Sequence, residues 1–250
     1  MHRTAALGPV LEPASRLARL EAAPAPVLAD LEGRPSLYAD GRWRALGHTD
    51  RAALLAHLVL TPALADDLLD LTWRTLPFYP EDTGLVRVRW RTDAQPELYF
   101  LAHDGVLFAL KGRSPPIHEV NARAGVRIDR TTAVAYLRFF CFFVHGSEGG
   151  GPFHIVADAE DPLLPDALFE DPEAPIGELL SAPVLMDLPE RAGDEPDDGG
   201  GLHCLARLIH ARRFFEAMFA IRPDGAVEMI DDTPLLTDLA APVYALISRR

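Results

Sequence analysis

Residues Asp129–Val156 read DRTTAVAYLRFFCFFVHGSEGGGPFHIV, and the fold turns on how this stretch is read. It holds the densest apolar run of the chain. Asp129 or Thr131 is placed to cap a helix over about residues 131–145. Within that helix Tyr136, Leu137, Phe139, Phe140, Phe142, Phe143 and Val144 point in nearly every direction, and a helix apolar all round is buried all round. Gly146 suits a left-handed cap behind it, and GPFHIVAD then reads as a short strand.

Outward from this pillar the chain is punctuated by Asp-Gly pairs, the dipeptide that best fits a tight hairpin turn. They occur at Asp40-Gly41, Asp104-Gly105 and Asp224-Gly225, each between apolar-aromatic runs, so three antiparallel hairpins are expected. LVRVRWR alternates Val86, Val88 and Trp90 with Arg87, Arg89 and Arg91, the pattern of a half-buried strand with an arginine face. Two long strands are expected at about residues 202–211 and 214–222. A closing strand is expected in PVYALISRR.

Helical sequence lies between the first two hairpins. Thr49-Asp50 can cap a helix to about Leu60, and Thr61-Pro62 can start a second. Leu64, Leu68, Leu71 and Leu76 supply its apolar stripe, with Asp66, Asp67 and Asp70 on the wet face. The expected class is therefore α+β: a mainly antiparallel sheet packed around the helix at 131–145, with an N-terminal helical pair at about 49–76. Residues 1–34, rich in Pro and Ala, read as a lead-in packed on a single domain of residues 35–250.

Charge is segregated. The net charge is −13, and residues 158–198 alone carry fourteen acids against one base, Arg191. The rest holds 23 acids and 23 bases. This acidic segment, with seven prolines and few aromatics, has the composition of a mobile flap over residues 158–201. No basic stripe points to nucleic acid. No apolar run reaches the ~18 residues that span a bilayer. The N-terminus lacks the apolar region of a secretory signal, and the Arg-, Ala- and Pro-rich composition fits a bacterial, cytoplasmic protein. Cys141 and Cys204 sit in apolar runs and read as buried free thiols.

Candidate chemistry is sparse. His118, Glu119 and Asn121 follow Pro115-Pro116, which bars helix and central strand and so predicts a stiff polar loop; imidazole and carboxylate there suit acid–base work. Arg138 interrupts the apolar helix, and a buried guanidinium must be paired or must hold an anion. Cys141 with His145, one turn apart, reads as core packing, because burial among phenylalanines raises a thiol's pKa. His145, Glu148, His154, His203 and His210 have no metal-ligand spacing, and no phosphate loop, nucleophile elbow or other cofactor motif is present.

The expectation is a non-catalytic binding or protein-interaction module, taking a protein or a small anionic ligand through Arg138, His118 and Asn121. The rival is a small hydrolase using His118, Glu119 and Arg138. A third reading is a homodimer paired along an exposed Val86–Arg91 edge.

Overall fold

The computed structural model describes residues 43–47, 51–52, 54–55, 68–91, 97–145, 152–156, 179–187, 201–210 and 213–237. The Asp40-Gly41 hairpin, the lead-in of residues 1–34, the closing strand and all of the acidic segment except 179–187 and Gly201 lie outside them.

The protein is mixed α and β, with two antiparallel sheets where one was expected. The first sheet runs in sequence order: β1 (Arg44–Ala45), β2 (Leu68–Thr75), β3 (Thr83–Trp90), β4 (Leu98–His103) and β5 (Val106–Ala109). The second orders β10 (Val227–Leu236), β9 (Arg213–Ile221), β8 (Leu202–His210) and β6 (His154–Ile155), with β7 (Val184–Asp187) also paired to β8. Two helices, α1 (Pro115–Ala124) and α2 (Ala133–Phe143), join them. One large apolar cluster takes side chains from both helices and both sheets.

Four sequence expectations are corrected. Residues 68–75 of the expected second helix form β2; only 51–52 and 54–55 of the expected helical pair are helical among the described residues. The four leucines fit a helical stripe, but from Asp70 onward LTWRT alternates with a period of two and carries Thr and Trp, which favour strands. The Pro-Pro loop is instead helix α1. The two prolines occupy its first positions, where the missing N–H would have had no partner, and Gly125 (φ 62°) ends it in the left-handed conformation.

The third correction concerns α2, which is not buried all round. Eight of its eleven residues are buried; Val134, Ala135 and Arg138 form the remaining stripe. Finally, β3 is buried at every position, and its arginines lie under Trp43 and beside Glu97 rather than in water.

Asp104-Gly105 turns β4 into β5, with φ 47° and 72° at the two residues. Arg222–Ala226 turns β9 into β10 around Gly225 (φ 80°). A Cβ at Gly225 would lie 2.6 Å from the Tyr136 hydroxyl and would also strike the Asn121 amide. Gly225→Ala is therefore expected to lower the unfolding free energy by roughly 2–4 kcal/mol, through backbone strain and loss of that docking. Urea denaturation measures it; a change under ~0.5 kcal/mol contradicts the close approach.

Candidate functional site

The residues singled out in sequence do not converge. On α1, His118 and Glu119 are neighbours, so their side chains diverge by about 100°. The His118 ring packs on Phe140, with centroids 5.8 Å apart. Glu119 is exposed and pairs with Arg123 one turn on, at 2.6 Å, while the Arg123 guanidinium lies over the Phe108 ring. Arg138 precedes Phe140 by two helical positions, about 200° around the axis from the ring that His118 touches. It is half-buried and engaged in an interaction of its own.

Asn121 is buried and holds the fold together. Its Oδ1 accepts from the Tyr79 hydroxyl at 2.7 Å. Its amide donates to the Tyr136 hydroxyl at 2.7 Å and to the Asp224 carbonyl at 3.2 Å. Tyr136 in turn donates to the Gly225 carbonyl at 2.7 Å. One amide thereby ties α1, α2, the turn after β2 and the β9–β10 hairpin. Burial pushes the ionisation of both tyrosines well above the usual phenol range, so both stay neutral donors.

His145, His210 and the two cysteines are packed into the fold. His210 stacks on Phe153 at 3.9 Å between centroids, and the His145 ring sits against Gly112. Burial raises the Cys141 thiol and pushes Cys204 up to about 11, which suits packing rather than nucleophilic attack. Among the described residues no three His, Cys, Asp or Glu side chains gather as a metal site.

A charged cluster that the sequence reading missed lies inside the first sheet. Asp70, Thr72 and Arg74 of β2 stand opposite Arg89, Arg87 and Leu85 of β3. Arg89 pairs with Glu97 at 3.3 Å and with Asp70 at 3.8 Å. Glu97 accepts from the Tyr99 hydroxyl, and Trp43 covers Arg87, whose guanidinium lies 4.2 Å from the ring centroid. All five charged groups are at most 7% exposed. Burial raises the Asp70 carboxyl, with Arg87 and Arg89 opposing it, and neither of its oxygens accepts a hydrogen bond. These side chains spend their charge on one another and close the layer beneath Trp43.

Because the Asp70 pKa is raised on folding, its contribution to stability is present at low pH and is lost as pH rises through the folded-state value. Asp70→Asn should therefore gain stability relative to the parent as pH increases. Urea unfolding of both proteins from pH 4 to 8 measures this; a difference that shrinks with rising pH contradicts the sign.

The accessible feature is β10. It pairs with β9 alone among the described residues, and seven consecutive positions, 228–234, are exposed. Met229 and Ile230 are 36% and 50% exposed. Glu228, Asp231 and Asp232 on the same strand carry no ion pair with any described residue. The register slips between Met229 and Asp231, leaving Ile230 as a bulge, and again between Pro234 and Leu236. The base of the strand is fixed, because its hairpin is the one that Asn121 and Tyr136 hold and the Ile128 amide donates to the Pro223 carbonyl at 2.8 Å.

Sequence reading expects the second strand of the Asp224-Gly225 hairpin here but assigns it no site, and VEMIDDT shows no apolar alternation. That lack of alternation was the available signal: a strand polar on both faces belongs at an edge.

Comparison with protein-family models, curated proteins and solved structures gives no match for the chain. Among the described residues no helix is long and apolar enough to cross a membrane.

Proposed function

We propose that the protein is a non-catalytic interaction module that engages another polypeptide through the β10 flank of its second sheet. The observation that supports this reading is the exposed strand itself. A hairpin anchored at its turn presents seven exposed residues, with two large apolar side chains and three acids among them. Exposed strand edges are templates for pairing with another chain, and side chains along them set which chain is accepted.

The other readings have less support. A hydrolase would need His118, Glu119 and Arg138 around one substrate, whereas His118 packs on Phe140 and Glu119 pairs with Arg123. An anion held jointly by Arg138, His118 and Asn121 meets the same divergence, and the Asn121 amide already uses both donors. Pairing of two copies along Val86–Arg91 is opposed by the position of β3, which lies between β2 and β4.

Peptide selection tests the reading. Panning a random phage-displayed library against the full chain should enrich peptides whose affinity survives His118→Ala. The same peptides should bind about tenfold more weakly to Met229→Ser/Ile230→Ser. No enrichment, or binders lost in His118→Ala and indifferent to the pair, would contradict it.

A further inference from the structure

We infer that the partner is an extended basic segment, added as a strand along Val227–Thr233 with Arg or Lys side chains set against Glu228 and Asp231 on one face and near Asp232 on the other. The inference rests on the interaction reading above and names the occupant. The usable stretch has a physical end: Pro234 has no N–H to offer an incoming strand, and a register slip follows it. Ahead of it, Val227–Met229 and Asp231–Thr233 remain on either side of the Ile230 bulge, joined at Val227 to the fixed hairpin.

Charge selects the occupant. The three carboxylates are exposed and meet no described cation, so a basic strand gains opposite-charge pairs across the ladder. A second copy of this chain does not fit. Self-pairing over residues 228–232 would gather three carboxylates from each copy on one ladder, between bodies of net charge −13. An acidic or neutral strand forgoes the pairs. Across the Ile230 bulge Glu228 and Asp231 share one face and Met229 and Asp232 the other, so bases alternating with apolar residues stand against the first pair.

The probe is a fluorescent ten-residue peptide alternating Lys or Arg with Val, compared with the same peptide carrying Glu in place of the bases. Anisotropy with the full chain should show the basic peptide at least about tenfold tighter at 50 mM salt, weakening steeply by 500 mM. Glu228→Lys/Asp231→Lys/Asp232→Lys should reverse the preference. A control with the same change in net charge, Asp194→Lys/Glu195→Lys/Asp197→Lys, should leave most of it in place. Should the first triple fail to fold, Glu228→Gln/Asp231→Asn/Asp232→Asn serves, and it should abolish the preference.

Equal binding of the two peptides overturns the basic-partner assignment. Loss of the preference in the control, with retention in the β10 variants, overturns the placement on β10 but leaves the interaction reading standing. Failure of both peptides together with an empty library selection removes both.

Discussion

Asn121→Leu is expected to lower the unfolding free energy by roughly 3–5 kcal/mol. The substitution keeps the branched shape, with bulkier methyl groups, and removes every polar contact of the amide. The Tyr79 hydroxyl then has no acceptor in Asn121, and the buried Tyr136 hydroxyl loses the amide that donates to it. A buried polar group left unsatisfied costs about 1–3 kcal/mol, and at least two are created here. The loss is not local, because contacts to Asn121 reach across as many as 103 residues of sequence. Urea unfolding measures the change. Combining it with Tyr136→Phe should give less than the sum of the single effects, since both act on one network. A cost below ~1 kcal/mol would mean that the amide is not holding the hairpin.

The second large effect lies in the first sheet. Arg89→Met is expected to cost roughly 3–5 kcal/mol, because Asp70 and Glu97 would stay buried without their shared cation. Most of that cost is the penalty of orphaned carboxylates, not the attraction lost. Arg89→Met/Asp70→Asn/Glu97→Gln should therefore recover a large part of it, and denaturant midpoints of the single and triple variants decide the matter. A single-variant cost near that of a surface ion pair, up to about 1 kcal/mol, contradicts the closed layer.

The parts of the fold legible in sequence are those where one local signal dominates. The aromatic run of residues 136–143 announces a buried helix, and the long apolar alternation announces β8 and β9. The failures share a cause in tertiary context. Asp70 looks like the wet face of a helix until Arg89 stands opposite it, and two prolines look like a loop until they occupy a helix's first positions. The LVRVRWR stretch does alternate, but alternation alone cannot say that Arg87 lies under Trp43 and Arg89 beside Glu97.

The candidate site was the least legible. His118 and Asn121 drew attention as polar residues beside an apolar helix, and the structure gives the first a ring contact and the second a buried network. The strand that stands exposed was expected as half of the Asp224-Gly225 hairpin, but without an apolar period or a chemical motif it drew no site assignment. The two places are nonetheless connected: Asn121 fixes the hairpin from which β10 extends.

Amide hydrogen exchange of the full chain, with and without the basic peptide, tests most directly where the protein makes contact. Slowed exchange confined to residues 227–233 and the flanking β9 amides is the predicted result. Protection centred on residues 115–124 or 133–143, with β10 exchanging as in the free protein, would contradict it.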